Sequence, residues 1–186
     1  MSVSMVQVFP NEIERGEEWH RFQALAKEYY EPVYAFLARQ TPNQADAADV
    51  TQHAFIRAYK SFGRFDSQRD FAPWIYSIAR RSLVDFYRKR RHTVEALEET
   101  IEDPSLNPGE SVEQQEGQDN LWLLAKELKP KFNQVLLLHY KENFSLKETA
   151  EIMGVTLTHA KVLLFRARNA LKKKIEATQL VGGNER

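Results

Sequence analysis

The sequence predicts an all-α fold of two helical domains joined by a flexible acidic linker, the second domain containing a helix-turn-helix. Apolar residues recur at spacings of three and four along most of the chain, and strand signals are scarce. Residues 93–119 lack this spacing and contain two prolines and two glycines. The predicted boundaries are therefore an N-terminal domain at 1–92, a linker at 93–119 and a C-terminal domain at 120–186.

Three helices are predicted in the N-terminal domain. The first spans about 17–39, and Pro32 is expected to break or kink it. The second spans 44–62 and follows Asn43, a residue whose side chain can cap it. The third spans 71–91, with a proline that is tolerated in its first turn.

The C-terminal domain contains the pattern of a helix-turn-helix. Ser145 and Glu148 have capping-box spacing, so a helix is predicted to begin there. Gly154 permits the left-handed turn that ends this helix, and Thr156 can cap the next one. A short capped helix followed by a longer basic helix is the arrangement that places the second helix in a DNA major groove.

Charge is distributed unevenly although the chain is neutral overall, with 26 basic and 26 acidic residues. Residues 57–92 contain 10 basic and 3 acidic side chains, and residues 156–174 contain 6 basic and none acidic. Between them, residues 93–119 contain 9 acidic and no basic side chains. Two separate basic segments that also contain aromatic residues favour two contacts with nucleic acid over ordinary solvated helix faces.

Composition argues against catalysis, cofactors and membrane insertion. The chain has no cysteine, and its five histidines are scattered, so no metal site, cofactor site or catalytic residue is predicted. The longest apolar run, Leu121–Ala125, is too short to span a bilayer, and the N-terminus does not resemble a signal peptide. We therefore expect a soluble cytoplasmic protein that is not an enzyme.

The third helix combines an apolar side with aromatic and cationic residues. The residues predicted to pack inward are Ile75, Ile78, Ala79, Ser82 and Phe86. The residues predicted to form a mixed surface elsewhere are Tyr76, Arg80, Tyr87 and Arg91. Such surfaces bind single-stranded DNA, because cations follow the phosphates while rings accept unstacked bases. For Trp74, core packing is favoured over base contact.

Five groups of residues, in this order and spacing, resemble bacterial sigma factors of the extracytoplasmic-function type. The resemblance covers about residues 20–176. The segments that carry it are Tyr29–Leu37, Ala45–Tyr59, Trp74–Arg80, Asp85 with Arg88, and the helix-turn-helix that ends Phe165–Arg168. It implies core RNA polymerase and promoter DNA as partners, and an anti-sigma factor as a further partner.

The resemblance also implies a role for each matched position. The residues implied to dock on core polymerase are Asp46, Asp49, Gln52 and Phe55. Those implied to recognise and melt the minus-ten element are Arg64, Tyr76, Arg80, Arg81, Tyr87 and Arg88. Those implied to contact the minus-thirty-five duplex are Thr158, His159, Lys161, Phe165, Arg166 and Arg168.

Several positions depart from the family pattern. His53 replaces a usual glutamate on the docking helix, and Arg81 replaces a common asparagine on the melting helix. Val162 and Leu163 stand where a hydroxyl and an arginine are usual, so two polar contacts to the minus-thirty-five element are expected to be lost.

Two other functions fit parts of the pattern. A stand-alone helix-turn-helix regulator would bind duplex operators without polymerase, but it would have no use for an aromatic and basic melting helix. A helical adaptor that binds only protein would require both basic segments to be incidental. The acidic linker is either a simple tether or an autoinhibitory segment that competes with DNA for the basic faces.

Overall fold

A computed structural model of the chain describes residues 16–98 and 118–182. Those residues are helical apart from short turns and contain no strand, which confirms the all-α prediction. The chain divides into two compact units, Met1–Gly109 and Glu110–Arg186. Residues 99–117, most of the predicted acidic linker, lie outside the described residues.

Within residues 16–98, the first unit contains three helices and one short 3-10 turn. The helices are α1 (Glu17–Ala38), α2 (Gln44–Ser61) and α3 (Phe71–Glu98), and the turn is Phe62–Arg64. In the second unit, α4 (Gln118–Lys126) precedes α5 (Pro130–Leu136), a π-helical segment (Leu137–Lys141), α6 (Leu146–Met153) and α7 (Leu157–Gly182). The three helices predicted in the N-terminal domain and the two helices of the helix-turn-helix are therefore present in the predicted order.

Helix α1 is continuous across Pro32, so of the two expected effects, a break or a kink, the break does not occur. A proline inside a helix removes one backbone hydrogen bond and crowds the preceding turn. The side chains that follow it, Val33, Phe36 and Leu37, are completely buried. Their burial in the core of the unit offsets the cost of the proline, which is itself exposed.

Helix α2 begins as predicted, because the Asn43 side chain accepts a hydrogen bond of 2.8 Å from the backbone N–H of Asp46. Its buried side is lined mostly by small residues, including Ala47, Ala54 and Ala58. Small side chains allow a close approach between helices, and α2 packs against both α1 and α3.

Helix α3 extends seven residues beyond its predicted end at Arg91, to Glu98. Residues 92–98 contain neither glycine nor proline, so nothing in the sequence stops the helix there. Of the five residues predicted to pack inward, Ile75, Ile78, Ala79 and Ser82 are buried and Phe86 is half-buried.

A tyrosine joins α3 to the end of α1. The Tyr87 hydroxyl donates a hydrogen bond of 2.6 Å to the backbone carbonyl oxygen of Gln40, just after α1. Burial raises the pKa of Tyr87; nearby Arg90 opposes this rise and Asp46 adds to it. The hydrogen bond connects two residues 47 positions apart in the sequence.

The helix-turn-helix forms as the sequence predicts. The Ser145 hydroxyl accepts from the Glu148 N–H (3.2 Å), and the Glu148 carboxylate accepts from the Ser145 N–H (2.8 Å). Gly154 has φ 65° in the left-handed region. The Thr156 hydroxyl then accepts from the His159 N–H at 3.2 Å and caps α7.

The core of the second unit lies between α7 and the three helices against which it packs, α4, α5 and α6. Its buried apolar residues include Val135, Leu136, Leu137, Leu138, Ile152, Ala160, Leu163, Leu164 and Ala167. Burial of these residues fixes which side of α7 faces solvent.

Gly154→Ala is expected to destabilise the second unit by about 1 kcal/mol, because a side chain disfavours the left-handed backbone. A Cβ at this position would meet no atom within 4 Å, so the cost comes from the backbone alone. Hydrogen exchange across residues 118–182 measures the change, with residues 16–98 as internal control. Gly154→Asn should cost less, since asparagine tolerates this conformation. Equal exchange in wild type and the alanine variant would contradict the prediction.

Tyr87→Phe is expected to destabilise the first unit by about 1 kcal/mol near neutral pH, because it removes the hydrogen bond to Gln40. The folded-state pKa of Tyr87 is raised, so the stability it contributes is present below about pH 10 and lost as pH rises through that pKa. Urea unfolding between pH 7 and 11 should show a shallower alkaline loss in the variant. Tyr34→Phe is the matched control; an identical alkaline profile for Tyr87→Phe and wild type would refute the assignment.

Candidate polymerase and nucleic-acid interfaces

The predicted docking surface on α2 retains two exposed residues. Asp49 and Gln52 are exposed and lie three positions apart, so they share one face of the helix. His53, the departure from the family pattern, is also exposed beside them. This face presents one carboxylate, one amide and one imidazole to solvent.

Asp46 is half-buried and makes contacts within the unit. Its carboxylate accepts a hydrogen bond from the Asn43 side-chain amide at 3.0 Å and pairs with Arg90 of α3 at 3.3 Å. The sequence did not predict the pair with Arg90, which lies 44 positions away. Asp46 therefore joins the first turn of α2 to α3.

Phe55 does not lie on the docking surface, and the prediction that placed it there is wrong. Its side chain is 1% exposed, and its ring centroid lies 5.4 Å from that of Tyr30 on α1. Helix α2 has neighbours on two sides, so the face predicted to be open at this position is covered. Phe55 supports the position of α2 from within the core.

An aromatic cluster surrounds the start of α3. It contains Phe62, Phe65, Phe71 and Trp74, with Phe65 and Trp74 closest at 4.8 Å between ring centroids. Trp74 contacts each of the other three rings and is half-buried, so it packs in the cluster while part of its side chain stays accessible. Phe65 is also half-buried, so part of the cluster remains accessible to solvent.

Tyr76 was predicted to lie on the mixed surface of α3, and that prediction is wrong. The residue is 3% exposed, and its ring centroid lies 5.1 Å from that of Phe36. Because α3 packs against both α1 and α2, a wide arc of its circumference is covered. Tyr76 falls within that arc beside Ile75, and its ring is unavailable to a base.

Two cations follow one another on the middle of α3. Arg80 is half-buried; burial, followed by the charge of Arg81, lowers its pKa. Arg81 is exposed and donates to the Ser77 carbonyl oxygen (3.1 Å) and hydroxyl (2.9 Å). These bonds hold the Arg81 guanidinium against its own helix.

Asp85 holds two arginines near the end of the packed part of α3. Arg57 of α2 lies 2.7 Å from its carboxylate, and Arg88 lies 3.0 Å away. Arg57 also donates to the Ser82 hydroxyl at 3.3 Å. The Asp85–Arg88 pair can be predicted from the spacing of the two residues along one helix. The Asp85–Arg57 pair cannot, because it forms only when α2 packs on α3.

The remaining minus-ten candidates are both exposed. Arg64 lies at the end of the 3-10 turn. The Tyr87 side chain is 42% exposed, although its hydroxyl bonds to Gln40. Five of the six predicted minus-ten residues are therefore at least partly accessible, and Tyr76 is the exception.

All six predicted minus-thirty-five residues on α7 are exposed: Thr158, His159, Lys161, Phe165, Arg166 and Arg168. Phe165 is 64% exposed, an unusual value for a phenylalanine. Of the two departures from the family pattern, Val162 is 41% exposed, whereas Leu163 is buried. Leu163 therefore belongs to the core and does not face a ligand of this surface.

Within the described residues, no group of three or more histidine, aspartate or glutamate side chains lies close enough to hold a metal ion. No helix in the same part of the chain is both long and apolar enough to cross a membrane.

Two protein-family models match the chain, in the order of its two units. Sigma-70 region 2 matches residues 25–93, and Sigma-70 region 4 matches residues 124–173. The first match contains α2 and most of α3, and the second contains the helix-turn-helix. The matched segments therefore include the candidate docking face of α2 and the candidate nucleic-acid surfaces of α3 and α7.

The chain is similar along most of its length to known sigma factors. It is 31% identical to the ECF RNA polymerase sigma factor SigM of Bacillus subtilis, over 77% of this chain and 88% of the relative. It is 26% identical to SigW of the same organism, over 92% and 97%. The fold resembles sigma factor RpoE, solved in complex with the anti-sigma factor NepR from Bartonella quintana, with TM-score 0.69, 20% identity and coverage of 84% and 97%.

The residues that carried the resemblance in the sequence thus lie in helices of the expected order, and both matched regions belong to one family. The chain belongs to the extracytoplasmic-function family of RNA polymerase sigma factors, the alternative sigma factors that bind core RNA polymerase and direct promoter-specific initiation of transcription.

Proposed function

We propose that the two units of this sigma factor divide promoter recognition between them. The basic face of α7 contacts the minus-thirty-five duplex, and α3 with the preceding turn contacts the minus-ten element. The observation that carries this proposal is the exposed face of α7, where all six candidate residues are open to solvent. Residues 156–174 contain six cations and no acid, which suits a polyanionic ligand.

Strand opening is proposed to occur at α3. Arg64 and Arg88 are exposed for phosphate contacts, and Phe65, the residue after Arg64, forms a partly accessible aromatic cluster with Trp74. Stacking of a base on such a ring contributes about 1–3 kcal/mol, comparable with the cost of unstacking it. Tyr76, being buried, supports this surface by packing on Phe36.

Docking on core polymerase is proposed for the exposed face of α2, with Asp49 and Gln52 as its main contacts. Polymerase supplies all catalysis in this proposal, so the chain is itself not an enzyme. An anti-sigma factor is proposed as a further partner, since RpoE, a relative of similar fold, was solved with one.

The stand-alone operator-binding regulator is not favoured. Both matched regions are sigma-factor regions, and the match to region 2 covers most of the N-terminal unit. A protein-only adaptor is not favoured either, because it would leave the cationic face of α7 without a role. Co-elution of the full chain with core RNA polymerase is the direct test, and absence of a complex would contradict the sigma-factor function.

Asp49→Ala is expected to weaken the complex with core polymerase about 5-fold or more, because an exposed charged contact is lost from the docking face. Fluorescence titration of the labelled full chain with core enzyme measures the dissociation constant. Glu17→Ala is the matched control, since it removes the same charge from an exposed site on α1. Equal affinities for the Asp49 variant and wild type would refute the docking role.

Arg166→Ala is expected to weaken promoter binding by the complex with core polymerase about 5- to 10-fold, because a phosphate or base contact is lost. If the contact is to phosphate, the slope of log affinity against log salt should become shallower by about 0.9. Lys131→Ala, an exposed cation on α5, is the matched control. Loss of core binding, with promoter binding by any remaining complex unchanged, would place Arg166 on a different surface.

A further inference from the structure

The exposed face of α7 is not uniformly polar. Val162 is 41% exposed and Phe165 is 64% exposed, and the two lie three positions apart. Residues at this spacing are neighbours on a helix surface, with about 5–6 Å between their Cβ atoms. We call this pair the apolar patch of α7.

The apolar patch lies opposite the buried side of the helix. The buried positions of α7 are Ala160, Leu163, Leu164 and Ala167. At 100° per residue, Val162 and Phe165 each point about 150° away from the centre of that side, one to either side of the direction directly opposite it. The patch therefore occupies the middle of the solvent-facing side, where a recognition helix is closest to a groove floor.

Cations lie on both edges of the patch. Lys161 and Arg168 flank it on one side and Arg166 on the other, and all three are exposed. Among the described residues none of these three forms an ion pair. The apolar patch, with cations on both edges, therefore fits a ligand surface in which an apolar group lies between two rows of anions.

The DNA major groove has this arrangement where it contains thymine. Phosphates line both edges of the groove, and the C5 methyl group of thymine is the apolar feature of its floor. Phenylalanine and small aliphatic groups are suited to contact that methyl.

We propose that Val162 and Phe165 read the 5-methyl groups of thymines in the duplex bound by α7, making them specificity-determining residues. The inference rests on the proposed function of this face as the minus-thirty-five contact. In this inference both the Val162 side chain and the Phe165 ring contact a thymine methyl group. Sequence preference at this element then depends on methyl groups as well as on hydrogen bonds.

The test uses the complex of the full chain with core RNA polymerase. A preferred duplex is selected from promoters randomised in the minus-thirty-five region, and enriched thymines are expected in it. Each is then replaced by deoxyuridine, which removes the 5-methyl and preserves the base pair. At one or two positions the dissociation constant should rise about 3- to 5-fold, the effect of losing one buried methyl. Deoxyuridine in the spacer is the control.

Combining protein variants with the deoxyuridine duplexes tests whether the thymine methyl group contacts the apolar patch. In Phe165→Ala or Val162→Ala, binding to the thymine duplex should weaken, and deoxyuridine should then cause little further loss at the assigned position. Arg166→Ala should weaken binding yet keep the full deoxyuridine effect. Both patch residues are exposed, so the core is retained, and thermal unfolding of each variant verifies this.

The outcomes separate the two claims. If deoxyuridine has no effect at any position while Arg166→Ala still weakens binding, the methyl inference is overturned and the proposed function stands. The same holds if the deoxyuridine effect persists fully in both patch variants. If no duplex is enriched in the minus-thirty-five region, the proposed function of α7 fails, and the inference fails with it.

Discussion

The packing of α3 against two helices at once is the constraint on which the first unit depends. A helix with one neighbour buries a stripe, whereas α3 contacts both α1 and α2 and buries a wide arc. The arc contains Ile75, Tyr76 and Ala79. Over residues 71–83 only a narrow strip of α3 remains for ligands, and Arg81 is the one exposed residue in it, whereas the residues from Tyr87 to Arg91 are all exposed.

Helix α7 of the second unit is packed differently from α3. Its neighbours all lie on one side, and the residues buried there include two alanines, Ala160 and Ala167, which allow close approach. The opposite side is left entirely to solvent. The two units therefore offer different kinds of surface, a narrow cationic and aromatic strip on α3 and a broad helical face on α7.

The features predictable from sequence were local ones. The Ser145 capping box, the Gly154 turn and the Asn43 cap each depend on residues within a few positions of one another. The burial of Phe55 and Tyr76 depends on how many helices surround each position, which periodicity does not reveal. Likewise, the Asp46–Arg90 pair joins residues 44 positions apart, and no local pattern links them.

That pair has a thermodynamic consequence for the face where polymerase is proposed to dock. Exposed ion pairs contribute at most about 1 kcal/mol, so the bond between Asp46 and Arg90 exchanges readily with other partners. A ligand that takes the carboxylate leaves an arginine on α3 without its anion, and an anion that takes Arg90 leaves Asp46 open. Binding of a ligand to Asp46 at the start of α2 and binding of an anion to Arg90 on α3 are therefore coupled. By the reciprocity of linked equilibria, each binding changes the free energy of the other by the same amount.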